Sequence, residues 1–178
     1  MEPSSFGRIA AYYYLSHQTM QLFRERLNPL LTRNDLLMLL TDAHEYSQLP
    51  VRHNEDLLNE ELSKSCPLEV PAGTYNSPHT KAHLLFQCHF ARKQLPSTDY
   101  YTDLKSVLDQ ALRILQAMID ACAEYGWLAP TLNCVNLIQM IIQARWLEVS
   151  RETIFILDVQ FATIIHDFIT RDYRMTTS

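Results

Sequence analysis

Three groups of residues in this 178-residue chain have types and spacings that could do chemistry. His79 and His83 stand four apart, the separation that sets two imidazoles on one helix face for a metal ion, with Cys88 or His89 as a third ligand. No cysteine or carboxylate completes a recognised pattern around them, so ordinary packing or solvent exposure is the expected role of both rings. The stretch "RHNED", residues 52–56, packs a cation, an imidazole and two carboxylates together. It reads as an acid–base site or a docking patch, or as helix-start chemistry. In the second case Asn54 is the cap, and Glu55 and Asp56 lie near the positive end of the dipole. Taken without context, helix-start chemistry fits better. Tyr12, Tyr13 and Tyr14 offer ring faces on which bases could stack. A buried extended segment packing alternate rings into a core accounts for them more simply.

A fourth feature is a face of one helix. In "VLDQALRILQAMIDACAEYGW", residues 107–127, and at the residue just before it, Ser106, Asp109, Gln110, Arg113, Gln116, Asp120 and Glu124 fall on one narrow polar stripe at helical spacing. Leu, Ile, Met, Ala, Val and Cys fill the rest. Acidic Asp109, Asp120 and Glu124 suit a face turned to water. Arg113 and Gln116, one turn apart, suit guanidinium stacking and amide hydrogen bonds to bases or backbone. The residues alone leave both readings open.

These groups must be positioned by an all-helical framework. The segment from Gly7 is expected to run extended or irregular through the tyrosines and to turn helical near Ser16, stopping at Asn28-Pro29. A second helix starts at Thr32 or Asn34 and buries Leu36, Leu37, Leu39, Leu40 and Ala43. A short third helix closes at Pro67, and residues 67–77 form the longest loop. Ser77-Pro78 opens a fourth helix that runs to Leu95-Pro96. The fifth ends at Gly126, and the sixth runs from Pro130 to about Trp146. Short connections favour antiparallel neighbours. From Arg151 the chain is rich in Ile, Phe and Thr, so helix and strand compete, and a helix is expected over 159–169.

Composition narrows the function. Hydrophobic residues make up 47% of the chain, enough for one domain with a substantial core. The net charge of −5 gives no basic footprint, so this chain alone should bind nucleic acid weakly. With only Gly7, Gly73 and Gly126, no phosphate loop of the GxxxxGK[ST] or GxGxxG type can be assembled, and HExxH and GxSxG are absent. Cys66, Cys88, Cys122 and Cys134 show no CxxC spacing, and a reducing compartment is expected. The most apolar run contains Asn133, Asn136, Gln139 and Gln143, which make it a poor membrane span.

The phrases "GRIAAYYYLSHQTMQLF", "PVRHNED", "KAHLLFQCHFARKQLP" and the run from Val107 to Trp146 resemble the helical part of the Sec-sixty-three homology unit of Ski2-like helicases, over residues 4–150. They are most similar to the C-terminal cassette of helicases of the activating signal cointegrator complex. The resemblance implies a helical bundle of about six helices, non-catalytic, that braces ATP-dependent 3'-5' motor domains in transcription coactivation, alkylation repair and ribosome quality control. It implies a long ratchet helix lining the strand tunnel, matched here to residues 106–125, with Arg113, Gln116 and Gln110 as strand contacts. Asn136, Gln139 and Gln143 are the alternative on the next helix. Arg52, His53, Glu55 and Asp56 become an interdomain polar cluster. Implied partners are the motor domains, single-stranded DNA or RNA and other cointegrator subunits, with no membrane, in nucleus and cytosol. ATP and magnesium belong to the parent helicase alone, and no cofactor or metal is expected in this chain. A protein-interaction scaffold without nucleic-acid contact is the competing expectation. Residues 1–150 are expected to form the bundle, and 151–178 a divergent, weakly packed tail.

Overall fold

A computed structural model of the chain describes residues 5–147, within which every regular element is helical. Seven α-helices follow in order: α1 Ser5–Tyr13, α2 His17–Arg26, α3 Arg33–Thr41, α4 Glu55–Ser65, α5 Pro78–Phe90, α6 Thr98–Glu124 and α7 Leu128–Gln143. A short 3-10 turn, His44–Gln48, follows α3. The all-helical expectation is borne out. The change of character expected from Arg151, with its helix over 159–169, lies outside the described residues.

Local chemistry sets several boundaries. Thr32 caps α3 through a reciprocal box. Its hydroxyl accepts from the Asp35 amide at 3.3 Å, and Asp35 accepts from the Thr32 amide at 2.9 Å. Ser16 caps α2 by accepting from the Gln18 amide at 3.2 Å. Gly126, at φ +70°, supplies the left-handed residue just past α6.

Three readings need correction. The segment through Tyr12 and Tyr13 is helix α1, not extended: Ile9 and Tyr13, four apart, are both buried against neighbours. Tertiary packing of that stripe overrides the β-preference of the tyrosines. Asn54 does not cap α4 with its side chain. It sits in the left-handed region at φ 65°. The helix from Pro78 stops at Phe90, where Arg92 turns left-handed at φ 49°, and does not reach Leu95.

At the centre lies α5. It packs against α3, α4, α6, α7 and the 3-10 turn, and ten of its thirteen residues are buried. Leu84, Leu85 and Phe86 have no exposed surface, and neither do Leu36 and Leu40 of α3 or Ile114, Leu115 and Met118 of α6. Burying each such side chain contributes roughly 1.5–3 kcal/mol. The longest element is α6, 27 residues and on the order of 40 Å at 1.5 Å per residue. Its buried positions, Tyr100, Asp103, Val107, Ala111, Ile114, Met118 and Ala121, trace one face at three- and four-residue steps.

Candidate functional site

The polar stripe of α6 meets two environments. Asp109, Gln116 and Glu124 are exposed, whereas Gln110, Arg113 and Asp120 are half-buried. What covers the second set is α1. Arg113 Nη1 donates to the carbonyls of Tyr13 at 3.1 Å and Tyr14 at 2.7 Å, and Nη2 donates to the Gln110 amide oxygen. The Tyr13 hydroxyl donates to Asp120 Oδ2 at 2.8 Å. A cation thus meets the last carbonyls of α1 and satisfies groups that the helix end leaves unpaired. Tyr14 turns the chain there at φ 52°. Of the three expected strand contacts, Gln116 is the open one, while Arg113 and Gln110 bond to each other beneath α1.

The "RHNED" cluster splits. Arg52 and Glu55 turn into the protein, whereas His53 and Asp56 are exposed. Arg52 grips Asp103 of α6 with Nη1 at 2.7 Å and Nη2 at 3.3 Å, and reaches Glu55 Oε1 at 3.0 Å. Lys81 of α5, with no exposed surface, sends Nζ to the Pro50 carbonyl at 2.8 Å, Glu55 Oε2 at 2.6 Å and Asp103 Oδ2 at 2.7 Å. All three ammonium donors are therefore used. The same Nζ lies 4.6 Å from the centroid of the Tyr100 ring, a cation–π contact. The Tyr100 hydroxyl donates to Asn59 Oδ1 at 2.8 Å, and Asn59 Nδ2 donates to the Tyr75 carbonyl at 2.8 Å.

Electrostatics keep Glu55, Asp103 and Arg52 charged. Burial, the largest influence on both carboxyls, pushes them up. Hydrogen bonds from Lys81 and Arg52 to Glu55, and from Arg52 and Lys81 to Asp103, outweigh it and leave both below their ordinary values. The hydrogen bonds to Asp103 and Glu55 hold Arg52 above the usual arginine value. Of the residues expected to form an interdomain cluster, Arg52 and Glu55 enter a network joining α4, α5 and α6, whereas His53 and Asp56 remain at the surface. Sequence reasoning passed over Lys81 and Asp103. The available signal was a lone cation and a lone carboxylate, each on the apolar stripe of its helix.

His79 and His83 share one face, as their spacing predicts, and both meet Thr41. His79 Nδ1 donates to its carbonyl at 2.8 Å, and His83 Nδ1 stands 3.5 Å from its hydroxyl. Burial pushes His83 down to about 4, opposed by the Asp42 charge. Among the described residues no group of three or more His, Cys, Asp and Glu side chains is placed to hold a metal ion. Of the tyrosine run only Tyr13 is buried, and Tyr12 and Tyr14 are exposed. No helix among the described residues is long and apolar enough to cross a membrane.

The family model described as "Sec63 Brl domain" matches residues 3–172 of this chain. The chain belongs to the Sec63 Brl domain family. Its relatives include a complex subunit and proteins described as helicases. Over 148 residues it is 57% identical to activating signal cointegrator 1 complex subunit 3 of Homo sapiens, covering 83% of this chain and 7% of that protein. The Dictyostelium discoideum protein of the same description is 49% identical over 144 residues, 81% of this chain and 6% of the relative. The U5 small nuclear ribonucleoprotein 200 kDa helicase of Homo sapiens is 38% identical over 144 residues, 81% of this chain and 7% of that helicase. This Sec63 Brl chain thus spans well under a tenth of the length of these relatives.

Proposed function

We propose that the chain is a non-catalytic helical module of an ATP-dependent 3'-5' nucleic-acid helicase. In this reading it lines the strand tunnel with α6 and braces the motor domains. One observation carries it: α6 is pinned along its other faces, yet leaves Asp109, Gln116 and Glu124 open along one edge. Gln116 contacts the strand directly through its amide. Arg113 and Gln110 set the position of that edge against α1, and the two remaining donor directions of the guanidinium serve a passing strand. Acidic Asp109 and Glu124 flank the contact, so this edge guides the strand by hydrogen bonds, and phosphate affinity comes from the motor domains. The descriptions of the relatives, a cointegrator complex subunit and a U5 small nuclear ribonucleoprotein helicase, support partners of that kind, and nuclear and cytosolic sites of action belong to the same proposal. Roles in transcription coactivation, alkylation repair and ribosome quality control belong to the same reading.

The test installs Gln116→Ala and Arg113→Ala separately in the full parent helicase. Loss of one hydrogen bond worth about 1 kcal/mol weakens strand affinity roughly fivefold. Gln116→Ala should lower affinity and processivity with thermal stability unchanged, whereas Arg113→Ala should lower both. Unchanged unwinding in the two variants, together with protein partners that survive nuclease treatment, would replace this reading with a protein-interaction scaffold.

A further inference from the structure

Two thiols from different elements meet at the end of α4. Cys66 is the C-terminal cap residue of α4 and is half-buried, and Cys88 lies in the last turn of α5 with 1% of its surface exposed. The chain around them is clamped on both sides. The Gln87 side-chain amide pairs with the Leu68 backbone, accepting from its N–H at 2.8 Å and donating to its carbonyl at 3.0 Å. Lys93 Nζ donates to the Ser65 carbonyl. These contacts bracket Cys66 at positions 65 and 68 and Cys88 at positions 87 and 93, and so bring the two cysteine-bearing segments side by side.

The two sulfurs differ chemically. The hydrogen bond from Cys88 lowers Cys66 to about 7, burial opposes this, and the Lys93 charge and the Ser65 hydroxyl assist. The same hydrogen bond and burial push Cys88 up. The reachable sulfur is therefore the one in which thiolate is favoured, and the buried one keeps its proton. That is the division between an attacking and a resolving cysteine. Cys122 and Cys134 form a comparable pair between α6 and α7, but neither has any exposed surface.

We propose that Cys66 and Cys88 are a hydroperoxide-sensitive modification site that closes to an intrachain disulfide joining the end of α4 to α5. The Cys66 thiolate attacks one oxygen of hydrogen peroxide. An S–O bond forms, the O–O bond breaks, and hydroxide leaves and takes up a proton as water. Cys88 then attacks the Cys66 sulfur of the sulfenic acid. The S–S bond forms, the S–O bond breaks, and hydroxide leaves with the Cys88 proton as a second water. Two thiols and one peroxide give one disulfide and two waters.

The test uses the full 178-residue chain. Hydrogen peroxide is added, free thiols are blocked, and tryptic peptides are analysed without reduction. Cys66 falls in peptide 65–81 and Cys88 in peptide 82–92, so their disulfide appears as a linked pair that dithiothreitol separates. Cys122 and Cys134 should stay reduced under the same treatment. In Cys88→Ser, and in Cys88→Ala as a second variant, Cys66 should stop at the sulfenic acid and be trapped by dimedone. In Cys66→Ser no linked pair should form. A Cys66 oxidised no faster than Cys122, or one found only in disulfides between molecules, would overturn the proposal.

Discussion

Replacing Lys81 by Met tests whether the charged network holds α4, α5 and α6 together. Methionine keeps the apolar stem but removes an ammonium that meets Glu55 at 2.6 Å and Asp103 at 2.7 Å. It leaves two carboxylates, 5% and 4% exposed, with Arg52 as the cation that remains to them in the network. Removing one partner from a buried ion pair costs on the order of 3–5 kcal/mol. Arg52 still bonds to both carboxylates, and its side chain is 39% exposed, so water screens part of the loss. The lower end, about 3 kcal/mol, is therefore expected, and at about 2–4 °C per kcal/mol this lowers Tm by roughly 6–12 °C. Urea unfolding followed by far-ultraviolet circular dichroism measures it as a lower midpoint at unchanged slope. Adding Glu55→Gln removes one stranded charge and should recover about 1 kcal/mol or more of the loss. A Lys81→Met chain within about 1 kcal/mol of the parent, or a double variant whose losses simply add, would refute the reasoning.

His83 gives a pH prediction. The unfolded chain takes up a proton below about 6.5 that the folded chain refuses until about 4, so stability falls as pH falls through that window, by about 3 kcal/mol in all. The lowered Glu55 and Asp103 have the same sign at more acid pH, their contribution vanishing as pH falls through their depressed values. His83→Leu should flatten the upper part of the profile, and identical slopes between pH 6.5 and 5 in both proteins would contradict the buried neutral imidazole. Thr32→Ala should cost about 1 kcal/mol. It should also raise the Asp35 carboxyl, which the Thr32 side-chain and backbone hydrogen bonds hold down, and an unmoved Asp35 titration by NMR would show that the capping box is not formed.

Periodic segments were legible in the sequence because one physical effect dominates each of them. The Leu36, Leu37, Leu39, Leu40 pattern places α3, and Gly126 ends α6 where only a left-handed residue continues the chain. Helix α1 was not legible. Its nine residues are too few to be stable alone, and what fixes them comes from about a hundred residues downstream, at Arg113 and Asp120. Of the candidate site, Arg52 and Glu55 were legible, but Lys81, Asp103 and the grouping of the four were not. Arg52 and Glu55 are neighbours in sequence, yet their partners Lys81 and Asp103 lie on two other helices, and no local pattern joins four charges across three elements. Arg113 shows the converse: its type and place on the stripe were plain, but whether α1 or solvent lay above it depended on tertiary packing.

The network and the stripe are linked through α6. A helix of 27 residues offers a fixed edge only if it is held along its length, since its own hydrogen bonds allow it to curve and fray. Near its start, Asp103 is clamped by Arg52 and Lys81, and Tyr100 bonds to Asn59. In its middle, Arg113 and Asp120 are tied to α1. At its end Cys122 faces Cys134 of α7, and the Tyr125 ring stacks on Trp127 with centroids 4.5 Å apart. Each clamp uses a different chemistry, so loosening one leaves the others. Gln116 lies between Arg113 and Asp120, the two residues of the middle clamp, on the part of the open edge that is held from both sides. Lys81→Met should therefore disturb the start of α6 while leaving the Gln116 environment intact, and amide hydrogen exchange along α6 separates the two: protection lost evenly along the helix would mean that the clamps act as one.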